Sequence, residues 1–120
     1  MKAKIAISAL LVPFIAGAAD NWIAIGKTTP PLDALLVNIG SVVINGNGNR
    51  VSTVRSLTGS YRMDTVTEFD CANRRTRALA SSLTDGAGRL VSASGEGKFW
   101  FNEKQSVGID AVCAAQVTLQ

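Results

Sequence analysis

Cys71 and Cys113 are the only cysteines in this chain, and a covalent bond between them would constrain its fold more than any other feature. Cys71 ends an alternating stretch that begins at Tyr61. Cys113 lies in Val107-Gly108-Ile109-Asp110-Ala111-Val112-Cys113-Ala114 near the C-terminus. The expectation is that a strand carries Cys71, a short C-terminal helix carries Cys113, and a disulfide ties the helix to the sheet.

Whether the pair is oxidised depends on the compartment, and the start of the chain bears on that. Met1-Lys2-Ala3-Lys4 is short and positive, and Ile5 to Ile15 is an uncharged apolar run. Ala16-Gly17-Ala18-Ala19 supplies small residues for cleavage after Ala18 or Ala19. That three-part order is the layout of a secretory signal peptide. The competing reading, a membrane anchor, is opposed by the shortness of the apolar run. No cysteine follows that run, so lipid attachment at a new N-terminal cysteine is not available. The division is therefore 1–19 as a secretory leader and 20–120 as a single domain, of a size that fits one small core. Exported chains meet oxidising conditions, so two cysteines read as one disulfide rather than two free thiols. In the chain-entropy account, closing so long a loop is worth roughly 4 kcal/mol.

Composition matters once the leader is set aside. The formal charge of +3 falls to +1 when Lys2 and Lys4 leave, so a pI of 9.2 overstates how basic the mature chain is. A nucleic-acid partner is not expected on that charge.

Strand signals fill most of the remainder. Asn21-Trp22-Ile23-Ala24-Ile25-Gly26-Lys27 is rich in aromatic and β-branched residues and ends before Pro30-Pro31. Ala34 to Ile44 is a second apolar run with a break at Gly40-Ser41. Asn45-Gly46-Asn47-Gly48-Asn49 reads as a tight turn, and Arg50 to Leu57 as the return strand. Tyr61 to Cys71 alternates, with Met63, Thr65, Thr67, Phe69 and Cys71 on one face and Arg62, Asp64, Val66, Glu68 and Asp70 on the other. That period predicts a half-buried antiparallel strand whose charged face is solvated. Arg75 to Leu83 continues as a strand, a turn follows at Thr84 to Arg89, and Leu90-Val91-Ser92-Ala93 and Phe99-Trp100-Phe101 are short apolar segments. Ser106 can cap a helix in which Ile109, Val112 and Cys113 share a face. A helix this short needs docking to persist. The fold class expected is α+β: an antiparallel sheet of about six strands with one short C-terminal helix packed on it and tied by the disulfide.

The residues exclude more chemistry than they suggest. There is no histidine, which removes the commonest general base, metal ligand and nucleophile partner. With both cysteines in a disulfide, no thiolate nucleophile or Cys/His zinc site remains. Ser94-Gly95-Glu96-Gly97-Lys98 lacks the spacing of a phosphate loop, and Asn45 to Asn49 has no carboxylate for calcium. Glu68 and Asp70 as a catalytic pair compete with their ordinary reading as a strand's polar face. No enzyme, cofactor or metal is expected.

The arginines Arg74, Arg75 and Arg77 admit two readings. One is a patch that meets an acidic partner, such as a sulfated polysaccharide or an acidic protein surface. The other, which the nearby acids favour, is pairing with Asp64, Glu68 and Asp70 across strands. Strand alternation from Cys71 would put Arg75 and Arg77 on the helix face, unless Ala72-Asn73 bulges or turns.

Trp22, the stretch Phe69-Asp70-Cys71-Ala72-Asn73-Arg74-Arg75-Thr76-Arg77-Ala78-Leu79, Trp100, and Ser106-Val107-Gly108 ahead of Val112-Cys113 together resemble the surface-adhesin protein E family of exported bacterial proteins. The resemblance spans nearly the whole mature chain. It implies a six-stranded antiparallel sheet with a C-terminal helix tethered by a disulfide. It also implies a non-enzymatic surface or periplasmic protein, the namesake being an adhesin for host matrix and serum proteins. The chain departs from the namesake, a lipoprotein, in having no cysteine at its cleavage site. The expected role is thus an exported binding protein in the periplasm, at the cell surface or secreted. Its partner would be a protein or an anionic polysaccharide, with a homodimer as one assembly open to it. A periplasmic assembly factor contacting other envelope proteins is the alternative.

Overall fold

The computed structural model describes residues 19–26, 28–95, 97, 99–102 and 107–117. The leader up to Ala18, Lys27, Glu96, Lys98 and the Ser106 cap lie outside them. The elements are β1 (Trp22–Ala24), β2 (Ala34–Asn38), a 3-10 turn (Ile39–Ser41), β3 (Val43–Ile44), β4 (Arg50–Thr58), β5 (Tyr61–Asp70), β6 (Arg75–Thr84), β7 (Leu90–Ser94), β8 (Phe101–Asn102) and α1 (Val107–Ala114). All strand pairs are antiparallel. Six strands run in the order β1-β2-β4-β5-β6-β7, while β3 pairs with β4 and β8 with β6. The described sheet therefore has eight strands rather than about six. The additional two, β3 and β8, hold two residues each, too few to carry a readable period.

Local chemistry sets the breaks. The apolar run from Ala34 stops at Asn38, whose Oδ1 accepts the amides of Asn21 and Gly40, both at 3.0 Å. A Cβ on Gly40 would collide with the carbonyl oxygen of Ala19, so glycine lets the N-terminal backbone pass. β4 turns into β5 through Gly59-Ser60, where Gly59 takes a positive φ of 59°, as the first residue of a two-residue hairpin can require.

One sheet face carries the core. Val37, Val42 and Phe69 pack against Ile109 and Val112 of α1, with Ile23, Ile25, Ile39 and Val54 around them. The expected helix face is correct for Ile109 and Val112; Gly108 is the third buried position, and Cys113 is half-buried. Three further ties hold the helix. Cys71 bonds Cys113. Arg74 pairs with Asp110 at 2.9 Å. The Arg50 guanidinium donates to the carbonyls of Val112 and Ala115 at 3.2 and 2.6 Å, a cation at the C-terminal end of the helix. β5 stops at Asp70, so Cys71 opens the turn after the strand instead of ending the strand. No helix among the described residues is long and apolar enough to cross a membrane.

The tether yields a direct expectation. Without reduction, thiol alkylation should leave the intact mass unchanged, and after reduction two thiols should react. Cys113→Ser should lower unfolding free energy by about 2–5 kcal/mol, read by denaturant titration.

Candidate functional site

The sheet face away from the helix holds a ladder of ionised groups. Its geometry begins in the β5–β6 turn. Residues 71 to 74 reverse the chain, with Asp70 Oδ1 accepting the Asn73 amide at 3.2 Å and Arg74 at φ 50°. Reversal sets Asp70 opposite Arg75, Phe69 opposite Thr76 and Glu68 opposite Arg77. A register shift between Val66 and Thr67 leaves Leu79 unpaired, so that Ala78 still faces Thr67 while Ala80 faces Val66. Arg75 and Arg77 therefore share the face of Glu68 and Asp70, because the chain turns at Ala72-Asn73. Arg74 departs from them to reach the helix.

This face is not solvated at its centre, contrary to the sequence reading. Glu68 is 0% exposed and Asp70 6%. Burial of an ionised carboxylate is tolerated only when donors replace water, and Glu68 has four. Its Oε2 accepts the side-chain amides of Asn45, Asn47 and Asn49 at 2.9, 3.2 and 2.8 Å. Its Oε1 accepts Arg77 Nη2 at 2.6 Å. Burial pushes its pKa upward, but bonds from Asn45, Asn49, Arg77 and Asn47 outweigh that and bring it down to about 2. At neutral pH such a group has no proton to donate, and its lone pairs are occupied, which disfavours acid–base work by Glu68. Asp70 is also lowered, first by the Asn73 side chain and then by Arg75, which donates Nε at 2.9 Å.

Trp100 stands over both arginines. Its ring centroid lies 4.3 Å from the Arg75 guanidinium carbon and 4.8 Å from that of Arg77. Cations against an aromatic face gain electrostatically. A second stack, Arg55 on Trp22 at 3.9 Å, lies toward β1, with Arg55 held by Asp64 at 2.8 Å. Asp64 thus pairs with Arg55, and with Arg62 at 3.5 Å, instead of with the Arg74 to Arg77 group. The asparagines and Trp100 were not expected as parts of this cluster. Three carboxamides at alternate positions in one loop are the signal available in the sequence, though their shared acceptor lies in another strand.

On the helix face, a cavity of about 260 Å³ opens beside Gly108, lined by Ile25, Val54, Phe69 and Phe101 with Thr65, Thr67 and Thr76. It is mostly apolar, and no charged group among the described residues lines it.

Stability should fall in acid. Glu68 and Asp70 have folded-state pKa values below their ordinary ones, so their contribution is present above those ordinary values and is lost as protons bind. For Glu68 the window runs from about 4.5 down to about 2. Melting temperature should drop through that range, and Glu68→Gln should be less stable at neutral pH with a flatter acid profile. A variant with the wild-type acid slope would remove Glu68 as its source.

No protein-family model, curated protein or solved structure matches the chain.

Proposed function

We propose that this is an exported, non-enzymatic binding protein, similar in role to the bacterial surface adhesins it resembles, which bind host matrix or serum proteins. Its contact surface is the arginine–tryptophan face opposite the helix. The observation that carries the reading is the stack of Arg75 and Arg77 on Trp100, with Asp70 and Glu68 beneath. The two cations are not equivalent. Arg77 is committed to buried Glu68 and is mostly covered, its side chain 21% exposed. Arg75 spends only Nε on Asp70, and its side chain is 36% exposed. Its two terminal nitrogens have no hydrogen-bond partner among the described residues. A guanidinium oriented by a carboxylate and a ring is suited to the planar or tetrahedral anions of carboxylates and sulfates. The leader pattern and the disulfide support export.

A second reading, a periplasmic factor that contacts other envelope proteins, draws on β7. Among the described residues that edge strand pairs only with β6, bears no charge from Leu90 to Ser94, and leaves Leu90 and Val91 exposed. An open uncharged edge can accept an added strand. Cell fractionation separates the readings: recovery at the surface or in the medium favours adhesion, and strictly periplasmic recovery favours assembly.

The arginine face is tested by Arg75→Gln on immobilised heparin. Elution should move to lower salt, because exposed charges act over roughly 8–10 Å at moderate ionic strength. Melting temperature should fall less than in the Arg77 variant, since Asp70 keeps both bonds from Asn73 and Arg75 is the more exposed cation. Arg77→Gln should instead cost about 3 kcal/mol of stability by leaving a buried carboxylate without its cation. Unchanged elution of the Arg75 variant would refute the proposed contact.

A further inference from the structure

The loop joining β3 to β4 contains three asparagines, and two of them, Asn45 and Asn47, precede glycine. Asparagine is among the thermolabile residues, and an Asn–Gly peptide is especially reactive because glycine offers no Cβ to hinder approach. The amide nitrogen of the glycine attacks Cγ of the asparagine side chain. A nitrogen–carbon bond closes a five-membered succinimide, and the carboxamide nitrogen leaves as ammonia with the proton that the glycine amide gives up. Water then opens the ring. Attack at the side-chain carbonyl gives aspartate, and attack at the main-chain carbonyl gives isoaspartate. By sequence alone Asn45 and Asn47 should react alike.

The structure separates them. The Asn45 side chain makes three hydrogen bonds: Oδ1 accepts the amides of Asn47 and Asn49 at 3.0 and 3.1 Å, and Nδ2 donates to Glu68 at 2.9 Å. Swinging Cγ toward Gly46 would break them. The Asn47 side chain makes one, to Glu68 at 3.2 Å, the longest of the three asparagine contacts there, and the residue is exposed; the amide that would attack it, Gly48 N, must also let go of the Asn45 carbonyl at 3.0 Å. Asn49 is bonded at 2.8 Å and precedes Arg50, so it is an internal control. We propose that Asn47 is a self-deamidation site, requiring only water, and that its product releases the loop from Glu68.

Release follows from charge. In the aspartate product an oxygen without a hydrogen replaces the donor beside the Glu68 carboxylate, so attraction becomes repulsion between like charges. The Asp85 loop supplies a comparison within the same molecule. There Asp85 N donates to Arg89 O, Gly88 N to Asp85 O, and Asp85 Oδ1 accepts the amides of Ala87 and Arg89. The Asn45 loop repeats that bonding, from Asn45 to Asn49. The turns differ in what they face: the Asp85 carboxylate meets the Arg89 guanidinium at 3.1 Å, while carboxamides meet the Glu68 carboxylate. A carboxylate at position 47 would bring to Glu68 the charge that the other loop directs at a cation. The inference does not depend on which partner the arginine face binds.

Peptide mapping with isoaspartate detection, on disulfide-intact protein aged at mildly alkaline pH, tests the site. Asn47 should gain one dalton about fivefold faster than Asn45, because reaction at Asn45 breaks one more hydrogen bond than reaction at Asn47. In reduced, denatured chain the two should convert at similar rates. Equal rates in the folded protein, faster conversion at Asn45, or no conversion at Asn47 while the denatured chain ages would each overturn the proposal. Asn47→Asp, which mimics the product, should speed hydrogen exchange across residues 46 to 49. Adding Glu68→Gln should remove the further effect of the aspartate. An Asn47→Asp variant with unaltered loop exchange would show that the modification releases nothing.

Discussion

A single buried carboxylate organises one side of this molecule. Glu68 has no solvent access, and it stays ionised because four donors take the place of water. Those donors come from two separate places, the β3–β4 loop and β6. Satisfying one charge therefore fixes a loop whose asparagines and glycines would otherwise leave it free. It also fixes the side chain of Arg77, and through the shared ring of Trp100 it positions Arg75. Burying a charge is costly unless every lone pair is served, so the cluster forms as a unit.

The opposite face depends on different physics. Its core is small, with Val37, Val42, Phe69, Ile109 and Val112 as the buried apolar residues among those described. An eight-residue helix has little stability of its own. It is held by apolar burial, a disulfide at one end of β5, an ion pair from the same turn, and a guanidinium on its last carbonyls. The turn from Cys71 to Arg74 serves both faces. Cys71 and Arg74 reach the helix, while Asp70 and Arg75 flank the turn on the charged side.

Much of the architecture was legible because it rests on local rules. The alternation from Tyr61, which stops one residue short of Cys71, the break at Gly40-Ser41 and the asparagine–glycine turn appear where the sequence placed them. The same alternation misled about exposure. Charged residues at every second position read as a wet face, but Glu68 and Asp70 are enclosed by side chains from the turn, β6 and the β3–β4 loop. Nothing local to β5 announces those partners. The two two-residue strands were likewise out of reach, since two residues have no period. Of the arginines, Arg75 and Arg77 do come together, whereas Arg74 goes to the helix.

What the sequence determined by itself is the longer elements and the range of chemistry open to them: strands with period two, a helix too short to stand alone, two cysteines able to join them, and no histidine. Those follow from residue types and spacings within a few positions. What only the tertiary structure decided is the face on which each charge lies and the group that it meets. The reversal at 71 to 74 sets the parity of Arg75 and Arg77, and the unpaired Leu79 resets it for the rest of β6. Parity in a strand assigns every side chain to one face or the other. The meeting of Asn45, Asn47 and Asn49 with Glu68 spans about twenty residues of chain. Contacts at that separation depend on how strands are registered, and no local pattern of residues encodes register across two hairpins.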